Sequence, residues 1–206
     1  MIIYSGTKAQ FLGHADGWIE ERIADAFLKS TGRYAGQGEQ RSWRESLGEM
    51  AKVLRSPTLP DDMGVGVEYQ IPQSAKRIDM LLTGRDQDDA PHLVIVELKQ
   101  WSNSRVSDKD GIVWAQRGGA HEREGPHPSY QAWSYAALLE GFNEAIYEGD
   151  IRLRPCAYLH NYRRDGVIGD ARYADYLRKA PLFLRGEDEQ EKLRDFIRRH
   201  ISRGDK

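Results

Sequence analysis

The sequence holds a single cysteine, Cys156, among 206 residues, so no internal disulfide can form and a reducing compartment is expected. It has no apolar run long enough to span a bilayer. The opening Met1-Ile2-Ile3-Tyr4 shows no leader pattern, so the expected location is the cytoplasm, with no membrane partner. It has no charge excess of either sign. The formal net charge of −2 at pH 7 excludes a global basic field and leaves only a local basic groove as a means of holding nucleic acid. The Gly-x-x-x-x-Gly-Lys-Ser/Thr phosphate loop is missing, so these residues encode no nucleotide-driven motor. Internal repeats, low-complexity tracts and a dividing linker are also missing, and the length suits one α/β domain over residues 1–206.

What is present is two apolar, β-prone runs, each interrupted by charge: Lys76-Arg77-Ile78-Asp79-Met80-Leu81-Leu82 and Val94-Ile95-Val96-Glu97-Leu98-Lys99. A lone buried carboxylate is costly and is normally paired or bound to metal. Side chains two apart on a strand share a face, so Glu97 and Lys99 project together. If the Asp79 strand lies alongside, two carboxylates and an ammonium converge. That grouping suits a divalent cation with a lysine beside it, the equipment for hydrolysing a phosphodiester. The plainer alternative is a pair of solvent-facing ion pairs at strand ends. The tripeptide alone is weak; the succession of elements is what favours the site.

Helices are expected over about Trp18–Ser30, ended by Gly32, and over about Ser42–Arg55, with Trp43, Leu47, Met50 and Leu54 at helical spacing. Val65, Val67, Tyr69 and Ile71 alternate as a half-buried strand, and Pro72 to Ala75 turns it into the Asp79 strand. The run from His92 to Trp101 reads as a central strand covered on both faces. Ser102 to His127 has no clear periodicity and reads as a long loop rich in Gly and charge. A helix from Pro128 to about Glu148, with Tyr130, Trp133, Ala137, Leu138, Phe142 and Ala145 as apolar positions, leads to a strand near Arg154–His160. A short helix at Tyr173–Arg178, an extended Leu182-Phe183-Leu184 and a basic last helix, about Glu189–Ile201, complete the chain.

Other residues enter by position. Gln131 and Tyr135, four apart, share a helix face. Glu20 is charged yet lies within the apolar sector of the first helix, as a third metal carboxylate or simply reaching the rim. Pro60-Asp61-Asp62 sits in a Pro- and Gly-flanked loop and suits a turn. Asp108-Lys109-Asp110-Gly111 lacks the further ligands of a calcium loop. His121 and His127 read as solvated loop histidines, and Arg198, Arg199 and Arg203 as a solvated helix face. The long loop leaves the catalytic strand directly, so its Arg105, Lys109, Arg117 and Arg123, with glycines allowing close approach, are the expected phosphate contacts, with Gln131 beside them.

The succession of helix, hairpin with Asp79, strand with Glu97-x-Lys99, helix with Gln131-x-x-x-Tyr135 and a further strand resembles the PD-(D/E)XK nuclease superfamily, in its RecB-like branch. The opening Met-Ile-Ile-Tyr-Ser-Gly-Thr-Lys-Ala-Gln-Phe-Leu, Glu68-Tyr69-Gln70-Ile71-Pro72, Glu97-Leu98-Lys99-Gln100-Trp101 and His127 to Leu139 are similar to the N-terminal region of bacterial Schlafen-group DNA/RNA helicases. The resemblance implies a restriction-endonuclease-like core, a mixed central sheet flanked by helices. It implies Asp79 and Glu97 as ligands of Mg²⁺ or Mn²⁺, Lys99 as the catalytic lysine, and Gln131 and Tyr135 as supporting residues. Glu20 is not pinned by it. It further implies DNA or RNA as substrate, a helicase domain or partner, and a place in defence or repair. Two rivals remain open: a silent module that grips nucleic acid for a helicase, and a structural domain that keeps only the fold.

Overall fold

The computed structural model describes residues 1–116 and 122–205, the side chains of Phe142 and Ala145 excepted. Strand β1 (Ile2–Thr7) opens the chain. Thr7 then caps helix α1 (Lys8–Ala15): its Oγ1 accepts from Gln10 N at 3.2 Å, and Gln10 Oε1 accepts from Thr7 N at 2.9 Å. Helix α2 (Ile19–Thr31) ends at Gly32, whose φ of 71° is the left-handed stop that only glycine adopts freely. Helix α3 (Gln37–Leu54) starts five residues earlier than its apolar pattern suggested, because its first turn is polar.

Strands β2 (Gly64–Gln70), β3 (Arg77–Arg85) and β4 (Pro91–Lys99) form an antiparallel meander, with β1 paired to β2. Strand β8 (Arg152–Leu159) lies parallel to β4, and β9 (Leu182–Leu184) parallel to β8. The result is a six-stranded mixed sheet in the order β1-β2-β3-β4-β8-β9, flanked by helices. Val94, Ile95 and Val96 are fully buried because β4 is covered on both faces, as its unbroken apolar run requires. One face packs Met80, Leu82, Val94, Val96 and Leu98 against Ile23, Phe27, Trp43 and Leu47 and against Leu193 and Ile197 of the last helix, α7 (Glu187–His200). The other packs Leu81, Leu93 and Ile95 against Tyr135, Ala136 and Leu139 of α4 (Pro128–Phe142). The long helix expected to reach Glu148 breaks at Asn143, whose extended backbone separates α4 from α5 (Glu144–Glu148).

Ser102–His127 is not a long loop where it is described. Strands β5 (Ser104–Val106), β6 (Ile112–Gln116) and β7 (Glu122–Pro126) form an antiparallel sheet of their own. Val113 and Ala115 alternate inward onto a third core with Trp101, Leu159, Tyr162 and Tyr173, next to the short helix α6 (Ala174–Lys179). The strands are only three to five residues long, too short for their alternation to stand out from the charged sequence around them. His127 is likewise not solvated: it is fully buried at the N-terminus of α4, its Nε2 lies 3.0 Å from Ile168 O, and its ring stacks on Tyr173. Burial lowers its pKa to about 4. Arg117 and His121 lie outside the described residues.

Pro60-Asp61-Asp62 forms the turn its composition suggested, with Met63 N donating to Pro60 O at 3.3 Å; Asp61 in addition sits 2.9 Å from the buried Lys8 ammonium, which also donates to Leu59 O and Ser56 O. Among the described residues no helix is long and apolar enough to cross a membrane.

The segment after α7 folds back on the end of β3, where Arg85 and Arg203 exchange backbone hydrogen bonds. A Cβ on Gly84 would lie 2.5 Å from Arg203 O and from Ile201 Cγ2. Gly84→Ala is therefore expected to destabilise the protein by about 1–3 kcal/mol in urea unfolding. Gly48→Ala, inside α3 with nothing within 4 Å, should stabilise it by roughly 0.5–1 kcal/mol. Equal midpoints for the two variants would contradict this packing.

Candidate active site

The β3–β4 ladder runs from Arg85↔Pro91 to Met80↔Val96 and stops there. One step further, Asp79 would face Glu97. Instead the strands part, and Asp79 Oδ2 accepts from Leu98 N at 2.8 Å. The alternation of β3 slips at the same point: Ile78 and Leu81 pack toward α4, while Met80 and Leu82 face α3. Asp79 thus occupies the gap between the strands, close enough to the Glu97 carboxylate to raise its pKa.

Glu97 is only 1 % exposed, at the end of the central strand. Its Oε1 takes an ion-paired hydrogen bond from Lys99, two residues along the same face, and a second, of 2.6 Å, from Gln131 Nε2 of α4. Gln131 Nε2 also donates to Tyr135 Oη at 2.7 Å, so the two helix residues act as one bracket. Glu97 Oε2 is buried and has no hydrogen-bond partner. Burial raises the Glu97 pKa well above the carboxylate range. The neighbouring Asp79 raises it further, against the pull of Lys99. Burial also raises Tyr135, helped by Glu97, so its hydroxyl stays neutral at physiological pH.

A carboxylate absent from the expected set stands on the other side of Asp79. In the antiparallel register of β2 and β3, Val67 faces Met80 and Tyr69 faces Ile78, which leaves Glu68 opposite Asp79. Glu68 has a φ of 56°, in mid-strand and without a glycine. Such a backbone costs on the order of 1–3 kcal/mol and tends to mark functional positions. It breaks the strand's alternation and turns the carboxylate toward α3, where Trp43 Nε1 donates to Glu68 Oε1 at 2.7 Å. Arg77 Nε lies 2.6 Å from Glu68 Oε2, an ion pair outside hydrogen-bond geometry, and Arg77 Nη2 donates to Glu39 at 2.9 Å. Burial, and next Asp79, raise Glu68 to about 7. The sequence signal was slight: an acidic residue within an alternating strand, at a position that alternation assigns to the opposite face.

The row Glu68–Asp79–Glu97 therefore has a cation at each end, Arg77 and Lys99, while Asp79 has no ion-pair partner among the described residues. A cleft of about 30 Å³, room for a water or an ion, is lined by Ser42, Trp43, Ser46, Glu68, Asp79 and Leu98. The orphaned, buried Glu97 oxygen fits a small hard cation, which binds few carboxylates and keeps several waters. Among the described residues no three His, Cys, Asp or Glu side chains are placed to share one metal. Glu20 is not in this group. Its nearly buried carboxylate is held by Arg44 Nε at 2.7 Å, in a separate hollow with Trp18 and Gly48, which satisfies the charge its helix sector carries.

The expected phosphate contacts are mostly already engaged. Lys109 pairs with Glu124 and Arg105 with Glu122, both acids on β7. Arg123 is exposed on β7 opposite Ala115. Gln131 is turned inward onto Glu97.

Glu97 and Glu68 both hold protons more tightly folded than unfolded, so unfolding releases protons and stability falls as pH rises. For Glu68 the loss begins near the ordinary value of 4.5 and continues to about 7; for Glu97 it extends higher. Glu97→Gln should flatten this decline in urea unfolding run across pH without divalent metal. A variant as pH-sensitive as the parent would show that the Glu97 carboxyl is not buried as described. No protein-family model, curated protein or solved structure matches the chain, so the arrangement of these side chains is what any functional reading must stand on.

Proposed function

We propose that this chain is a metal-dependent nuclease that hydrolyses phosphodiester bonds of DNA, with Asp79 and Glu97 as metal ligands and Lys99 as the catalytic lysine. The observation that carries the reading is the buried Glu97 carboxylate with Lys99 upon it and one oxygen left without a partner among the described residues, while Asp79 is held at the neighbouring strand by Leu98 N–H. Support also comes from the element order. A hairpin bearing Asp79, a central strand ending in Glu97-Leu98-Lys99, a helix and a parallel strand follow one another, as in the restriction-endonuclease-like core that the sequence resemblance implies.

Bound Mg²⁺ or Mn²⁺ would polarise a phosphoryl oxygen and acidify a water. The chain's own groups do the rest. Asp79, braced by Leu98 N–H, and Glu97 present oxygens from two strands. Gln131, tied to Tyr135, fixes the rotation of the Glu97 carboxylate, so its free oxygen faces one direction. The Lys99 ammonium orients the attacking water and stabilises the charge that develops on the phosphoryl oxygens. The silent-module reading, in which the same residues grip nucleic acid for a helicase, draws on one observation: no third protein ligand joins the pair among the described residues.

The pure protein should cleave DNA with Mg²⁺ and stop on EDTA. Lys99→Ala should lower the rate by about 10²–10⁴-fold, with circular dichroism unchanged because the ammonium sits at a strand end. A Lys99→Ala sample that cleaves at the parental rate would end the proposal. Full binding with no cleavage by the parent would favour the silent module.

A further inference from the structure

An exposed cation paired with a carboxylate of its own chain gains less on meeting a phosphate than an unpaired one, and that difference distinguishes two regions. In the β5–β7 sheet, Arg105 and Lys109 are each closed on a glutamate, which leaves Arg123 as the single exposed cation without an ion pair among the described residues there. Around the carboxyl end of β4 the case is reversed. Lys76, Arg41 and Arg163 are exposed, and none has an ion-pair partner among the described residues.

Each belongs to a segment that hydrogen bonds or strand register tie to the end of β4 or to its neighbouring turn. Lys76 ends the β2–β3 turn. Its N–H donates to Ser74 Oγ at 3.1 Å, and its carbonyl accepts from Ile71 N at 3.0 Å and Gln70 Nε2 at 3.1 Å. Its ammonium lies 5.8 Å from the centre of the Tyr135 ring, the residue that brackets Gln131 on Glu97. Arg41 precedes Ser42, whose carbonyl and hydroxyl accept from Gln100 Nε2 at 3.0 and 3.2 Å. Gln100 directly follows Lys99. Arg163 follows the end of β8, where Leu159 is in register with Lys99 and Asn161 Nδ2 donates to Gln100 O at 3.4 Å. The carboxyl ends of parallel strands are where open α/β sheets place their ligands.

We infer that Lys76, Arg41 and Arg163 form the phosphate track that holds a DNA strand across the Asp79–Glu97 site, in place of the β5–β7 sheet. Lys76 lies over Tyr135 of α4, Arg41 belongs to α3 on the other face of the sheet, and Arg163 follows the end of β8. The inference rests on the nuclease reading for its substrate. It differs from that reading in what it requires: sequence-independent contacts, one phosphate per cation, on both flanks of the metal ligands. Glu45, exposed one helical turn after Arg41, opposes the track and serves as an internal control.

The test is fluorescence anisotropy with a short labelled DNA duplex in EDTA, so that binding is read without cleavage, over a series of salt concentrations. Three variants are compared with the parent: the triple Arg41→Ala/Lys76→Ala/Arg163→Ala, the double Arg105→Ala/Lys109→Ala, and Glu45→Gln. The triple should weaken binding and lower the slope of log K against log salt by about 2 to 3, about one per lost phosphate contact. The double should change neither, and Glu45→Gln should tighten binding. A triple variant with parental affinity and slope overturns the track, and if the parent still cleaves with Mg²⁺, the nuclease reading stands. A double variant that loses the slope instead returns the contact to β5–β7 and also overturns the track. A parent that neither binds nor cleaves DNA removes both.

Discussion

A carboxylate is buried at the end of the most enclosed strand of the sheet, and most of the local architecture answers to it. Glu97 is covered on both sides of β4, and an isolated charge there would cost several kcal/mol. Lys99 and Gln131 satisfy one oxygen, from the strand itself and from the facing helix. The other oxygen is left to whatever occupies the gap beside Asp79. The parting of β3 from β4 makes that gap. A ladder that continued in register would have closed it with backbone hydrogen bonds, but Asp79 takes the Leu98 N–H in their place.

The two faces of the sheet serve this point differently. The α4 face provides orientation: Gln131 and Tyr135 lock the Glu97 carboxylate from one helix, and Ile95 and Leu139 keep that helix seated. The α3 face provides a counterweight. The strained Glu68 backbone delivers a second acid toward Asp79, tied down by the Trp43 indole and held electrically by Arg77. With cations at both ends of the carboxylate row and no ion pair on Asp79 among the described residues, added positive charge is drawn to the middle. The β5–β7 sheet takes no visible part in this balance. Arg105 and Lys109 close on its own glutamates, and its apolar side joins Tyr162 and Tyr173 in a separate core.

Much of this was legible in the sequence, and the boundary follows physical range. Local patterns were sufficient for α2 and its Gly32 stop, for the turn between β2 and β3, and for β4 as a central strand. Two-residue periodicity put Glu97 with Lys99, and four-residue periodicity put Gln131 with Tyr135. The Thr7–Gln10 capping box was also there to be read, as the start of α1. The short strands β5 to β7 were hidden because three to five residues give too few alternations to exceed their charged surroundings. His127 looked like a loop residue only because nothing nearby in sequence announces Ile168 or Tyr173, which bury it.

By itself, then, the sequence determined which residues are charged within apolar strands, and so which groups folding would have to pair. Beyond Glu97 with Lys99, tertiary structure decided the pairing. It gave Glu20 to Arg44, a residue 24 positions away, and brought Glu68 rather than Glu20 toward Asp79. It also spent Arg105 and Lys109 on β7 while leaving Lys76, Arg41 and Arg163 unpaired. The reason is that periodicity fixes the face a side chain takes within its own element, whereas the partner of a buried charge depends on strand register, on where a ladder stops and on one left-handed backbone angle. Those are set by packing between elements distant in sequence.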